Sequence, residues 1–239
     1  MKVELTTLRG IEDAITSLYQ SKGNYTSDKG KFIRAHVFES TNDNGFIVSP
    51  TNFFNEELAK VFKYGVYHTT ILRYIDFSFV IEGLHRGGQD DLDSHAERFS
   101  TRIVRQSTRL GTFKDGAVSD YYKDKILTTD QALKSMGIEI PDSVEIDGKK
   151  YVKGVNGYIL EEHKSEQDVV RGLYNLAIPC SCICKIDLFQ FSHVYKMRNK
   201  NSNAHEELQD VITSLVIQLA KAFNMEESRF IEILETIVN

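Results

Sequence analysis

The chain has 239 residues, 41% of them apolar and 26% charged, with 15 glycines and 3 prolines. That balance excludes a disordered or fibrous chain, and the length suffices for one large domain or two small ones. With 29 basic and 34 acidic residues the formal net charge is -5, which excludes a surface built as a whole to coat nucleic acid or a membrane. Any anion site must arise from local clustering.

No apolar run reaches the roughly 18 residues of a membrane span. The opening segment MKVELTTLRGIEDA lacks the apolar stretch and cleavage site of a signal peptide. Cys180, Cys182 and Cys184 fall within five residues, an odd and crowded set that makes a poor disulfide framework. The expectation is a soluble, cytoplasmic protein.

In chain order, residues 7–22 read as an amphipathic helix with Leu8, Ile11, Ile15 and Leu18 on one face. Lys31 to Phe38 and Gly45 to Val48 read as short strands, and Asn55 to Lys63 as a helix opened by an Asn cap with Glu56 and Glu57 behind it. From Tyr74 to Glu82, Ile75, Phe77, Phe79 and Ile81 alternate with Asp76, Ser78, Val80 and Glu82, the period of a half-buried strand that Gly83 ends. Asp90 to Arg109 reads as one long helix. A loop-rich stretch leads to a short helix near Asp130 to Met136, then to a hairpin turning at Asp147-Gly148. Ser165 to Leu176 reads as a Ser-capped helix and Cys180 to Ile186 as a strand. Helices at about 203–223 and 226–238 close the chain, the first with a core stripe of Leu208, Val211, Ile212, Leu215 and Leu219. Without a repeat or a clear linker, residues 1–239 read as a single domain.

The run HAERFSTRIVRQSTR sets His95, Arg98, Arg102, Arg105 and Arg109 at spacings of three, four, three and four. On a helix they share one face, where like charges repel unless something anionic compensates. A ligand phosphate suits the rigid guanidinium fork; carboxylates from elsewhere in the fold, on a solvated face, serve as well. A second basic set is Arg171 and Arg198, the latter with His193, Asn199, Asn201 and Asn203 around it. One Arg, one His and several amides can read a nucleobase edge, and ordinary surface polarity accounts for them equally. The cysteines share one strand face, but no partner pair lies at zinc-site spacing, so no metal is expected. Neither a Walker loop nor a Gly-x-Gly-x-x-Gly fingerprint is present.

Taken in order, these segments resemble the flavin-dependent thymidylate synthases, the ThyX family. His68-Thr69-Thr70 followed by YIDFSFVIEG resembles the family's His-x-Thr segment and the strand after it. The arginine run stands where the family keeps Arg-His-Arg-x-x-Ser-x-Asn-Glu-x-Ser-x-Arg-Tyr. Ser107 and Arg109 match its end, while Glu97-Arg98-Phe99, Arg102, Val104, Arg105 and Leu110 replace its other marks. A one-residue shift brings Arg98 onto the last Arg of the first set. Asp168 and Arg171 match a later acidic–Arg pair, and His193 and Arg198 match the helix ending His-Phe-Leu-x-Leu-Arg. Ala204-His205-Glu206-Glu207 matches an Ala-Gln-x-Glu helix start. The resemblance covers about 65–110 and 165–215.

It implies an α+β, thymidylate synthase-complementing-protein-like fold, with a central, mostly antiparallel sheet and long helices packed on it. It implies FAD as cofactor, NADPH and methylenetetrahydrofolate as co-substrates, and one-carbon transfer to C5 of dUMP in a homotetramer. Arg198 then takes the electrostatic role at the uracil. Ser107, Arg109, Arg171 and Arg105 hold the substrate phosphate, and His68, Thr70, Arg98, His193 and Asn203 line the flavin. The altered signature keeps two alternatives open: a 5-hydroxymethyl product, and a relative that binds nucleotide or flavin without turnover. Net acidity weighs against a nucleic-acid partner.

Overall fold

The computed structural model describes residues 1–23, 28–94, 102–108 and 117–237. Its elements, in chain order, are β1 (Lys2–Arg9), α1 (Ile11–Gln20), α2 (Asp28–Ser40), α3 (Asn52–Gly65), β2 (Asp76–His85), α4 (Arg86–Asp93), β3 (Arg102–Arg105), α5 (Thr129–Ser135), β4 (Ser143–Ile146), β5 (Lys149–Gly154), β6 (Gly157–Leu160), α6 (Gln167–Val170), β7 (Pro179–Asp187), α7 (Leu188–Arg198), α8 (Glu206–Ala222) and α9 (Glu227–Ile237). The class is α+β, as expected. One sheet has strand order β1-β2-β7-β3 and the other β4-β5-β6. No helix among the described residues is long and apolar enough to cross a membrane.

The chain divides into two compact units. The larger holds Lys2–Ile81, Leu92–Val104 and Ile183–Asn239. Its core is aromatic and aliphatic: Phe77 meets Phe191 edge-on at 5.2 Å, and Phe62 meets Phe223 at 5.3 Å. The expected stripe of α8 is buried throughout, and α8 is tied to β1 by a side-chain clamp. Gln218 Oε1 accepts from Leu5 N at 2.8 Å, and Gln218 Nε2 donates to Val3 O at 3.1 Å. The predicted helix over 7–22 is instead β1 followed by α1. Gly10 makes the break: its φ is 79°, and a Cβ there would fall 1.8 Å from the Tyr74 carbonyl oxygen. Only glycine fits both the left-handed backbone and the close approach.

Three other expectations change in this unit. Lys31 to Phe38 lies within α2, which packs on α1 and α3; tertiary contact outweighs the β-preference of a short window. Gly45 to Val48 contributes only the isolated bridge Thr41↔Ile47. The helix expected from Asn55 starts at Asn52, because Thr51 supplies the cap by accepting from Phe54 N at 3.1 Å.

The smaller unit holds Met1, Glu82–Asp91 and Arg105–Cys182. β4 and β5 form the expected antiparallel hairpin, with Asp147 and Gly148 both at positive φ, and β6 extends it. Thr128 and Gln131 form a reciprocal capping box at α5. The strand expected to stop at Gly83 continues through it to His85, with that glycine at φ 86°. The helix expected over Ser165 to Leu176 shortens to α6 and a 3₁₀ turn over Arg171–Leu173.

The long helix over Asp90 to Arg109 is the largest correction. The chain forms α4, which ends at Asp93, and then the strand β3. Ile103 and Val104 are β-branched and suit a strand. Positions three apart on a strand point to opposite faces, so Arg102 and Arg105 do not share a helical stripe. His95, Arg98 and Arg109 lie outside the described residues.

We predict that Leu215→Ala, at a position with no exposed surface, lowers unfolding free energy by about 2–5 kcal/mol in urea denaturation. A loss below about 1 kcal/mol would show that the α8 stripe is not the core.

Candidate functional site

In the larger unit, α1, α3 and the 3₁₀ turn Thr69–Tyr74 line an open cavity of about 1200 Å³, bordered in part by His68, Thr70, Tyr64 and Tyr74. That volume suits an extended ligand better than a single nucleotide. Both predicted flavin residues of the His-x-Thr segment, His68 and Thr70, are exposed on this wall. His68 stands at the start of the 3₁₀ turn and makes no side-chain capping bond.

The polar floor of the cavity was not foreseen. Glu57 lies in the buried stripe of α3 with Phe54, Leu58, Val61 and Phe62. Tyr19 Oη donates to Glu57 Oε2 at 2.7 Å, and Lys60 Nζ reaches Oε1 at 2.6 Å. Burial first, then the bond and charge of Glu57, push the Tyr19 phenol well above its ordinary value of 10.0. A buried carboxylate requires such partners. The sequence signal was a Glu at a core-facing helical position, with Lys three residues later.

α7 carries the next two predicted residues. Asp187 caps it, accepting from Gln190 N at 2.7 Å, and Leu188, Phe191, Val194 and Tyr195 bury one face. Arg198 lies seven residues beyond Phe191 and therefore extends that face. Arg198 Nε is buried and has no hydrogen-bond partner among the described residues. His193 Nε2 is in the same condition, with its ring edge-on to Phe189 at 4.8 Å. Five residues apart on a helix means about 140° of rotation, so His193 and Arg198 flank the helix rather than share a face. The 3₁₀ turn packs on α7: the Arg73 guanidinium lies 4.4 Å over the Phe189 ring, and Leu188 N donates to Ile75 O at 2.8 Å. His68, Thr70, His193 and Arg198 therefore sit on adjoining elements of one unit.

Asn203 is exposed in the link to α8. That link is built by side chains bonding backbone. Asn199 Oδ1 accepts from Asn201 N at 2.9 Å, Ser202 Oγ from Ala204 N at 3.3 Å, and His205 Nδ1 from Glu207 N at 3.3 Å. Asn199 thus shapes the turn, which gives its side chain a structural task in place of reading a base.

Of the predicted phosphate residues, Arg105, Ser107 and Arg171 belong to the smaller unit. Arg105 pairs with Asp90, and the exposed Arg171 lies 3.5 Å from Asp168. Ser107 is exposed just beyond β3. Cys180, Cys182 and Cys184 are buried thiols that form no disulfide. Burial pushes the Cys180 thiol up, while the positive charge of Arg86 acts the other way.

This architecture is that of the flavin-dependent thymidylate synthase structures. A Helicobacter pylori thymidylate synthase X structure with FAD and dUMP matches with a TM-score of 0.56 at 14% identity, over 98% of this chain and 99% of that one. A second H. pylori structure complexed with FAD and dUMP gives 0.53 at 13% identity, over 91% and 93%. A UMP/dUMP methylase, PolB from Streptomyces cacaoi bound with 5-Br dUMP, gives 0.51 at 11% identity, over 99% and 94%. No protein-family model matches the chain, and no curated protein matches it by sequence.

Tyr19→Phe removes a donor from the buried Glu57 carboxylate and is expected to cost about 1–3 kcal/mol in urea unfolding. In the wild type, the folded phenol holds its proton after the unfolded one has lost it. The stability it contributes is therefore intact below pH 10.0 and declines as pH rises further. Ultraviolet titration at 295 nm, compared with Tyr19→Phe, checks this. A Tyr19 that ionises with the exposed tyrosines contradicts it.

Proposed function

We propose that the chain is a divergent flavin-dependent thymidylate synthase, one domain over 1–239, that transfers one carbon from methylenetetrahydrofolate to C5 of dUMP in a cytoplasmic homotetramer. The observation that carries this reading is the guanidinium of Arg198: its buried Nε has no partner among the described residues, at the place the resemblance assigns to the uracil. A buried N–H without a partner costs stability, which a bound acceptor recovers. His193 Nε2 is also buried without a partner among the described residues. The cavity bordered by His68 and Thr70, whose lining includes neither His193 nor Arg198, has room for an extended ligand. Likeness over nearly the whole chain to proteins crystallised with FAD and dUMP supports the same reading.

In this proposal His68, Thr70, Arg98, His193 and Asn203 hold FAD. Bound FAD supplies the hydride chemistry, with NADPH as reductant. Arg105, Ser107, Arg109 and Arg171 hold the phosphate of dUMP and so fix the uracil. Arg198 stabilises negative charge as it develops on the uracil ring when C5 becomes nucleophilic, a role that strengthens in the transition state.

A second reading is a relative that binds nucleotide or flavin without turnover. Val104 and Arg105 favour it, since they stand in place of the signature's Asn and Glu and lie on a strand.

The test is an absorption spectrum of the full chain after FAD loading, followed by product analysis with dUMP, methylenetetrahydrofolate and NADPH. Thymidylate formation is expected, with Arg198→Ala lowering kcat by about 10²–10³ while FAD absorbance persists. A 5-hydroxymethyl product would replace the proposed outcome. Flavin binding without product would favour the second reading, and no response to FAD or dUMP would reject the proposal.

A further inference from the structure

The cavity between α1, α3 and the 3₁₀ turn carries its charge unevenly. On its floor Lys60 is paired with Glu57, so that ammonium is spent within the fold. Asp13 lies in the first turn of α1, while Lys22 lies just past the other end of that helix. At this second end, Lys22 Nζ is 5.8 Å from the centroid of the Tyr64 ring, and Lys63 Nζ is 5.9 Å from the same centroid. Lys22 and Tyr64 line the cavity, and Tyr64 is 41% exposed. His68 stands alongside, its backbone N–H donating to Tyr64 O at 2.9 Å.

Both distances are close to the limit of about 6 Å for a cation over a ring, so these contacts are weak and leave the ammonium donors unspent. Neither side chain has a carboxylate partner or a hydrogen bond among the described residues. Helix ends account for part of the placement. Lys63 sits in the last turn of α3 and Lys22 follows α1, where unsatisfied carbonyls favour a cation. They do not account for two ammonium groups gathering on one exposed ring, since like charges repel.

A compact polyanion offsets that repulsion, and the three donors of each ammonium suit an anion rich in acceptor oxygens. A diphosphate is such an anion. Joined to a ring system on each side it becomes an extended ligand, for which a cavity of about 1200 Å³ has room. Tyr64 offers aromatic surface at one end, and Tyr74, whose carbonyl lies against Gly10 at the start of α1, offers it at the other.

We propose that Lys22, Lys63 and Tyr64 form the seat for the diphosphate of a dinucleotide at this end of the cavity. The proposal rests on the flavin reading above for the class of its ligand. It adds three residues that lie outside every segment carrying the family resemblance. FAD and NADPH share the diphosphate and riboflavin lacks it, so binding separates the sources.

The test is calorimetry on the full chain with FAD, riboflavin and NADPH, for the wild type and for Lys22→Ala combined with Lys63→Ala. Both lysines are exposed, so the fold should persist, which thermal melting checks. The double variant should bind FAD about tenfold more weakly and riboflavin unchanged, and the corresponding Lys→Arg pair should recover most of the loss. Rising salt should narrow the wild-type preference for FAD over riboflavin. Weakening of NADPH with FAD unaffected would assign the seat to the reductant's diphosphate. The inference is overturned if the double variant binds both dinucleotides as the wild type does, or if it weakens riboflavin and FAD alike, as a structural role for the lysines would. Lysine-dependent binding of NADPH by a chain that takes up no flavin would keep the seat and reject the flavin reading. Binding of none of the three rejects both.

Discussion

The carboxylate of Asp187 is almost wholly removed from water, and what it does there decides where β7 stops and α7 begins. One oxygen accepts from the backbone of Gln190, while the next residue, Leu188, donates its N–H to Ile75. A capped helix start has a defined phase, and phase is what α7 contributes to the site. From that start, Phe191, Val194 and Tyr195 face the core, Arg198 follows them at the helix end, and His193 falls to the other flank beside Phe189. A shift of one residue in the cap would rotate every one of these side chains by about 100°.

Buried polar groups in this protein fall into two kinds. Glu57 is satisfied within its own unit: Tyr19 and Lys60 each take one of its oxygens, and all three line the cavity. His193 Nε2 and Arg198 Nε are buried with no partner among the described residues. The first kind supports structure, because every group finds what it needs inside the fold. The second kind costs stability unless something completes it, and Asp76 Oδ1 and Asp187 Oδ2 share that condition.

The arginine run shows how a helical spacing can fall on a strand. Its three-four spacing resembles a helical stripe, yet Arg102 and Arg105 occupy a strand and point to opposite faces. What gathers charge instead is α4 and β3 meeting at Asp90, where Arg105 is joined by Arg86. The linear chain gave no sign that Arg86 and Arg105, 19 positions apart, meet the same Asp90 carboxylate.

Local chemistry was legible wherever one short segment carried its own instruction. The Asp147-Gly148 turn, the alternating strand through Phe77 and Phe79, and the Leu-rich face of α8 follow from backbone conformation or from a strong hydrophobic period, and they fold as read. The family resemblance carried by several segments, among them His68-Thr69-Thr70, Asp168 with Arg171, and His193 with Arg198, anticipated the α+β class. Tertiary structure alone decided the rest. Gly10 breaks β1 from α1 because the Tyr74 carbonyl occupies the space a side chain would need, and Glu57 tolerates burial because Tyr19 comes from another helix. Lys31 to Phe38 is helical, packed between neighbours that the window itself cannot see. Hydrogen-bond satisfaction and steric exclusion act between residues distant in sequence, so no local pattern can encode them.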